Sequence, residues 1–255
     1  MKVEEYSLRN KSTQSQNDID YKKAMEDHYS TSSGTNLDKL NNFTRFVPRQ
    51  TLSIFLAKNE IFKKILNVHG NIVECGVYMG GGLFTWAQLS SIYEPVNHNR
   101  KIIGFDTFDG FPAITNLDRS EENDEHKTEG AYSFSDYDNL IESARLYDLN
   151  RNIGHIEKLE LVKGDAIKTI PEYLKKNKHL MVSLLYLDFD LYEPTKIALE
   201  YFMPRMPKGA IIAFDELNQK QWPGETLAIL DQIGIGSLEI RRFTFTPSLS
   251  YAVIK

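Results

Sequence analysis

The stretch Leu184–Lys196 reads LLYLDFDLYEPTK, and it decides the fold class. Its apolar first half is the pattern of a strand buried in the middle of a sheet. The run ends in two carboxylates, Asp188 and Asp190, before a turn that contains Pro194. Burying even one unpaired carboxylate is costly. Something near the end of this strand must therefore compensate the two charges.

The segments around this stretch alternate between strand-like and helix-like patterns. The strand-like runs are NIVECGV (71–77), KIIGFDTF (101–108), LELVKGDA (159–166), MVSLLYLDFD (181–190) and GAIIAFDEL (209–217). The helix-like runs are GGGLFTWAQLSSIYEPV (80–96), IKTIPEYLKKN (167–177) and PTKIALEYFMPRM (194–206). This order predicts an α/β protein whose parallel sheet is covered by helices on both faces. At the end of the chain, EIRRFTF and YAVIK predict a hairpin added to that sheet.

Length and composition favour one large domain preceded by a polar arm. The chain has 255 residues, of which 41% are hydrophobic. Residues 1–40 are poor in aliphatic side chains and alone could not offset their ordering entropy. We expect either a disordered tail or an arm that docks through a few apolar side chains. The domain then spans 41–255, beginning with a helical pattern from Pro48 to near Gly70.

The net charge and the cysteine content limit the cellular compartment and the kinds of binding partner that we expect. The net charge of -5 argues against a nucleic-acid binder, whose surface would be basic. Cys75 is the only cysteine, which fits a reducing compartment and a buried apolar role. The sequence contains neither an apolar leader nor the run of about 18 apolar residues that a membrane span needs. We therefore expect a cytoplasmic protein without a membrane partner.

Ligands of open parallel sheets bind beyond the carboxyl ends of the strands, so the residues there are candidates for a site. The first strand ends in Glu74 and Gly76, and Gly80 and Gly81 open the next helix. Exposed backbone at a helix start suits a carboxylate or phosphate group. Close packing of strand against helix would also explain these glycines. The stretch does not fit the dinucleotide pattern G-x-G-x-x-G.

Acidic residues end the second and third strands. Asp106 could accept two hydrogen bonds from a ribose diol, or it could cap the turn that follows it. Asp165 follows the third strand, where a carboxylate or an amide could reach an adenine edge.

The fourth and fifth strands together end in four acids, namely Asp188, Asp190, Asp215 and Glu216. Four carboxylates at neighbouring strand ends would repel one another unless a cation lay between them. Oxygen ligands without His or Cys suit Mg²⁺, Ca²⁺ or Mn²⁺. Asp215 and Glu216 point oppositely in a regular strand, so both can ligate one ion only where the backbone turns. Helix capping and solvated turns could account for some of these acids.

Taken together, the motifs VECGVYMGGG, GFDTFDGFP, KGD, LDFDLYEPT and IIAFDE resemble those of a known family. This family comprises the metal-dependent sugar O-methyltransferases of antibiotic biosynthesis, of the macrocin, mycinamicin and novobiocin type. The resemblance covers roughly residues 45–235. It implies a class I methyltransferase fold with seven strands, the last reversed, and S-adenosylmethionine as cofactor.

By this resemblance, the residues take definite roles. Glu74, Gly76, Gly80 and Gly81 belong to the cofactor loop, Asp106 holds the ribose, and Asp165 lies on the adenine side. The resemblance makes Asp188 and Asp215 metal ligands and Asp190 the general base, with Asp188 itself as the other candidate. Glu216 stands where the family usually has Asp, which lengthens one ligand arm. The polar segment near 113–139 stands at the position of the substrate lid.

These roles imply methylation of a hydroxyl on a deoxysugar that is linked to a nucleotide or to an aglycone. Mg²⁺ would lower the pKa of the hydroxyl while a carboxylate takes its proton. A catechol or phenol methyltransferase uses similar chemistry and remains an alternative, as do a nucleotide-sugar oxidoreductase and a non-catalytic relative. Arg49, Trp222 and the lid residue His126 are further candidates to line the site. We expect a homo-oligomer, whose arm could cover a neighbouring subunit.

Overall fold

The structure is a computed structural model that describes residues 15–120, 124, 127–134 and 137–255. Within these residues, seven strands form one sheet in the order β3-β2-β1-β4-β5-β7-β6. Strands β1 to β5 are parallel, and β7 runs antiparallel to both β5 and β6. The predicted α/β fold with a reversed last strand and a terminal hairpin is confirmed. The strands are β1 (Asn71–Cys75), β2 (Ile102–Asp106), β3 (Leu159–Lys163), β4 (Val182–Leu187), β5 (Ile211–Phe214), β6 (Arg241–Arg242) and β7 (Ser250–Val253).

In the order of the described chain, the α-helices either precede β1 or lie between two successive strands. They are α1 (Gln16–Thr31), α2 (Asn36–Asn41), α3 (Arg49–Ile65), α4 (Gly81–Tyr93), α5 (Tyr137–Leu149), α6 (Ala166–Lys176), α7 (Tyr192–Phe202) and α8 (Pro223–Gln232). Helices α1, α2, α5 and α8 were not predicted. None of the helices in the described ranges combines the length and the apolar character that a bilayer span requires.

The chain divides into two compact units, with the division between Ser53 and Ile54. This division lies later than the domain boundary predicted at residue 40. In the first unit, α1 and α2 each begin with a capping box in which a hydroxyl and a carboxylate satisfy backbone amides. Tyr29 packs edge-on against Phe46, with ring centres 5.1 Å apart.

The second unit contains the sheet and two hydrophobic layers, one on each sheet face. Side chains alternate along β4, so Leu184 and Tyr186 face one layer, whereas Leu185 and Leu187 face the other. All six residues of β4 are buried, as its continuous apolar run predicts. One layer comes mainly from α3, α4 and α5, and the other from α6, α7 and α8. Cys75 is fully buried, which confirms its predicted role as a small apolar side chain.

Candidate active site

A row of backbone hydrogen bonds aligns the predicted site residues along the carboxyl edge of the sheet. In strand order, Gly164 N donates to Asp106 O, Gly76 N to Phe105 O, Asp188 N to Cys75 O, and Asp215 N to Leu187 O, at 2.8 to 3.1 Å. The bonds continue the parallel register by one residue beyond each strand. The expected gathering of these residues at one edge is therefore present in the structure.

The glycines after β1 serve different purposes. Gly76 has φ +98°, and a Cβ there would lie 2.7 Å from the carbonyl carbon of Asp188. Close packing therefore explains Gly76. A Cβ on Gly81, at the first turn of α4, would meet no described atom within 4 Å. Packing does not explain Gly81, and the space above this helix start fits an anionic group of a cofactor.

Asp106 holds the loop that follows β1. Its Oδ2 accepts hydrogen bonds from Val77 N at 2.7 Å and Tyr78 N at 2.8 Å, and its Oδ1 accepts one from Phe108 N at 2.7 Å. Tyr78 and Phe108 both have positive φ, at 49° and 57°. The carboxylate thus stabilises two strained turns at once. Oδ1 also accepts a long hydrogen bond from Thr107 Oγ1 at 3.4 Å, so a ribose hydroxyl would have to share Oδ1 with both donors, and ribose binding by Asp106 stays a prediction.

Asp165 caps the start of α6. Its side chain accepts a hydrogen bond from Ile167 N at 3.1 Å, and its backbone carbonyl accepts one from Thr169 N. An aspartate in this position stabilises a helix by satisfying an amide of the first turn. The structure therefore supplies a structural role for Asp165, and its role on the adenine side stays a prediction.

Glu74 is buried beneath the first turn of α4, together with Lys58 of α3. The two side chains are 1% and 4% exposed, and the ends of both occupy the place that a Cβ on Gly82 would take. Lys58 Nζ also lies 4.0 Å from the ring centre of Tyr186 and 5.1 Å from that of Trp86. Burial raises the pKa of Glu74 to about 7, and the charge of Lys58 opposes this effect. Contact between Glu74 and a cofactor stays a prediction.

The acids of the fourth and fifth strands lie beyond the strands themselves. Because β4 ends at Leu187, the alternation of a regular strand does not apply to Asp188 and Asp190. Asp190 has φ +62°, a left-handed conformation that few residues other than glycine adopt. β5 likewise ends at Phe214, so the backbone bends at Asp215. This bend meets the condition for two adjacent acids to approach one ion.

These acids affect one another electrostatically. Burial raises the pKa of Asp188 well above its ordinary value, and the charges of Asp215 and Asp190 raise it further. The pKa of Glu216 is raised by burial first and then by the same two neighbours. Negative charges that raise the pKa of Asp188 and of Glu216 in this way lie close to these two side chains in a poorly solvated place.

Two residues that the sequence analysis missed complete this group. Tyr186 donates a hydrogen bond to Asp215 Oδ1 at 2.6 Å. Glu225, in the first turn of α8, is fully buried, and its Oε1 accepts a hydrogen bond from Glu216 N at 3.2 Å. Burial and the charges of Asp215 and Asp190 raise the pKa of Glu225 well above its usual range. The signal for Glu225 was the helical pattern of PGETLAIL, which begins with a proline.

Among the residues that the structure describes, no three His, Cys, Asp or Glu side chains are arranged so that they could hold a metal ion. The chemistry of the acids nevertheless fits one. Glu216 Oε2 is buried and has no hydrogen-bond partner in the described structure, and its neighbours are carboxylates. Oxygen donors of this kind suit Mg²⁺ or Ca²⁺, so the metal ligands remain a prediction that the residues present allow.

Two backbone hydrogen bonds join Phe111, just before the predicted lid segment, to residues 130 and 131 within that segment. Phe111 N donates to Ala131 O, and Gly130 N donates to Phe111 O, both at 2.9 Å. Trp222, from the loop after β5, packs against Phe111 and against Tyr132 with ring centres 5.9 Å away in each case. Trp222 therefore lies against the lid segment.

Two further candidates cannot be placed in this site. Arg49 belongs to the first compact unit. His126 lies outside the described residues.

The comparisons with known proteins identify the family of the chain. A family model described as macrocin O-methyltransferase (TylF) matches residues 9–228. The chain belongs to the macrocin O-methyltransferase family. It is an O-methyltransferase with the class I fold, which uses S-adenosylmethionine as methyl donor. The family resemblance stated from the sequence is confirmed. No curated protein matches the chain significantly.

Solved structures extend the comparison of this macrocin O-methyltransferase family member. The crystal structure of CalS11, called a calicheamicin methyltransferase, has 32% identity and a TM-score of 0.90, covering 94% of this chain and 93% of its own. An apo structure of CalS11, called a TDP-rhamnose 3'-O-methyltransferase, has a TM-score of 0.81 at 32% identity, covering 94% and 95%. The O-methyltransferase NovP shares the fold, with 18% identity, a TM-score of 0.61 and 79% coverage of both chains.

Proposed function

We propose that this protein methylates one hydroxyl of a nucleotide-linked deoxysugar, with a divalent cation bound by Asp188, Asp215 and Glu216. The observation that carries the proposal is the row of backbone hydrogen bonds along the carboxyl edge of the sheet. It brings Asp188 beside the glycine loop and Asp215 beside the end of β4. The acceptor class is supported by CalS11, whose name gives TDP-rhamnose as its substrate and which is 32% identical over 94% of this chain.

The donor half of the site is formed by the first three strands. The open start of α4 at Gly81 would receive the carboxylate of the methionine part of S-adenosylmethionine, and Glu74, Gly76 and Gly80 shape this loop. Asp106 approaches the ribose through Oδ1, and Asp165 lies on the adenine side. Bound in this way, the donor supplies an electrophilic methyl group on a sulfonium sulfur.

The acceptor half is formed by the acids after β4 and β5. Asp188, Asp215 and Glu216 would hold a Mg²⁺ ion, which would lower the pKa of the acceptor hydroxyl and fix the position of its oxygen. Asp190 takes the proton of that hydroxyl as its oxygen bonds to the methyl carbon. The bond between carbon and sulfur breaks, and S-adenosylhomocysteine leaves. Proton removal by a placed carboxylate accounts for about 10²- to 10⁴-fold in rate.

The segment near 113–139 covers the acceptor in this proposal. Its contact with Trp222 supports this role, since Trp222 follows the strand that delivers Asp215 and Glu216. Phe111 and Tyr132, which are partly exposed beside the buried Trp222, offer an aromatic surface that suits the apolar face of a sugar ring.

Assays of methyl transfer with several acceptors test the proposal. We expect mass spectrometry to show a monomethylated product from TDP-rhamnose or another nucleotide-linked deoxysugar, with S-adenosylmethionine and Mg²⁺ present. Glycosylated natural products and catechols serve as competing acceptors. Methylation of catechols alone would contradict the proposed acceptor.

The metal and the donor are tested separately. We expect Asp188→Asn and Asp215→Asn to lose activity, and EDTA to abolish it in the unchanged protein. Glu172→Gln, at an exposed position of α6 outside the lid segment, is the matched control and should behave as the parent does. Full activity of both site variants in EDTA would exclude the metal. Calorimetry should detect binding of S-adenosylhomocysteine and none of NAD, and the reverse result would exclude the donor.

A further inference from the structure

The lid segment contains an acid that the reaction scheme above leaves without a role, Asp118. This side chain is only 1% exposed. Its Oδ2 accepts hydrogen bonds from the amide and the hydroxyl of Thr115, at 2.8 and 2.7 Å. Its Oδ1 reaches a different part of the chain and accepts a hydrogen bond from Tyr192 N at 2.6 Å. One buried carboxylate therefore joins the lid segment to the start of α7.

The residue that this bond holds lies two positions after Asp190. Asp190 adopts φ +62°, a left-handed conformation that persists only where the surroundings enforce it. A Cβ on Gly224 would lie 2.6 Å from Asp118 Oδ1, 2.6 Å from Tyr192 N and 3.0 Å from Asp190 O. The start of α8 therefore packs directly on the place where Asp118 meets the Asp190 turn.

A buried lysine fixes the other side of the same segment. Lys127 is fully buried, and its Nζ donates to Asp118 O at 2.9 Å and also to Gln221 O. The ammonium group pairs with Asp124 at 2.8 Å and lies 4.8 Å from the ring centre of Trp222. A buried lysine without such partners would be strongly unfavourable. Lys127 thus connects the lid segment to the loop that follows β5.

We propose that Asp118 is a positioning residue for Asp190, and that it sets the orientation of this carboxylate from within the lid segment. The inference rests on the proposed function, in which Asp190 takes the acceptor proton. The lid segment then has a second task besides covering the acceptor. Asp118 holds the turn after β4 through its hydrogen bond from Tyr192 N. Lys127 donates to the backbone carbonyl of Asp118 and to that of Gln221, in the loop after β5.

Three variants test the proposal. Asp118→Ala removes both carboxylate oxygens, whereas Asp118→Asn keeps an oxygen that can accept from Tyr192 N. Glu172→Ala removes an exposed acid from α6, outside the lid segment, and serves as the matched control. We expect kcat to fall about 10- to 100-fold in Asp118→Ala, because a small displacement of a catalytic group has effects of this size. Asp118→Asn should recover much of this loss, and Glu172→Ala should retain parental activity.

Two measurements separate positioning from a general loss of structure. The Kd of S-adenosylhomocysteine and the KM of the acceptor should stay within about twofold in Asp118→Ala. Hydrogen exchange of the Tyr192 amide should become at least about tenfold faster, because this amide loses its acceptor. Unchanged kcat with unchanged exchange would overturn the proposal. Equal losses in kcat and in cofactor affinity would also overturn it, since they indicate a purely structural role.

Asp190→Asn distinguishes failure of this inference from failure of the proposed function. Loss of activity in Asp190→Asn without an effect of Asp118→Ala would refute the positioning role alone. Full activity in Asp190→Asn would refute the proton-accepting role, and with it the positioning role. If Asp118→Ala does not fold, Asp118→Ser decides through the same exchange and kinetic measurements, because its shorter side chain cannot reach Tyr192 N, and parental values of both would overturn the proposal.

Discussion

Replacing Glu74 by glutamine removes a buried titrating group while keeping nearly the same side-chain shape. The pKa of Glu74 is raised from 4.5 to about 7 in the folded protein, chiefly by burial. The folded state therefore binds this proton more tightly than the unfolded chain does. The stability that the proton contributes is complete below about pH 4.5 and is lost as the pH rises through about 7.

The size of this effect follows from the interval between the two pKa values of Glu74. At about 1.36 kcal/mol per pH unit, the full loss of unfolding free energy is about 3.4 kcal/mol. About 2.5 kcal/mol of this loss falls between pH 5 and pH 8. Glutamine does not titrate, so Glu74→Gln should gain this amount relative to the parent protein over the same interval.

Urea unfolding of both proteins at pH 5, 6, 7 and 8, without ligand or metal, measures the difference directly. Other buried acids titrate in both proteins and cancel in the comparison to first order. Glu172→Gln, at an exposed position of α6, is the control for losing one carboxylate and should show little change in the difference. A difference for Glu74→Gln that stays constant from pH 5 to pH 8 would refute the assignment of a proton to this buried site.

Three further substitutions probe the edge of the sheet. Gly76→Ala should destabilise the protein by about 3 kcal/mol or more in thermal or urea unfolding, because the new Cβ overlaps the backbone of Asp188 at a position with positive φ. Gly236→Ala is the control and should not destabilise the protein, because open space surrounds this glycine. Gly81→Leu should keep the melting temperature but weaken S-adenosylhomocysteine binding at least about tenfold in calorimetry, and parental affinity would contradict the cofactor assignment. Tyr186→Phe removes the donor to Asp215 and should weaken Mg²⁺ binding about 10- to 100-fold, with equal affinity as the contrary result.

The sheet could be predicted because its strands are short apolar runs that end in glycines or acids. The run 71–77 contains β1 (Asn71–Cys75), and the run 209–217 contains β5 (Ile211–Phe214). Helices α5 and α8 were missed although both carry helical signals. In α5, Leu140, Ala144 and Tyr147 recur at helical spacing. The helical pattern of α5 lies in a mainly polar segment, and that of α8 follows shortly after the acids of the candidate site, so neither segment was recognised as a helix.

Only those residues of the candidate site could be predicted whose positions follow from the order of the strands along the chain. Parallel strands bring their ends to one edge, so the residues at the strand ends follow from the strand pattern. Lys58 and Tyr186 depend instead on which helix covers which sheet face, and this follows from the three-dimensional packing. The capping pattern from Thr115 to Asp118 is visible in the sequence, but the contact with Tyr192 is not.

The two backbone bonds between Phe111 and the pair Gly130–Ala131 have a consequence for how such enzymes diversify. They join the ends of the intervening stretch through main-chain atoms, which any side chains can accompany. Insertions and substitutions within that stretch therefore need not alter the strand that precedes it. Such a chain can change its specificity for the acceptor without a change in the part of the site that binds the methyl donor. The condition is that the buried Asp118 and Lys127 within the stretch are kept.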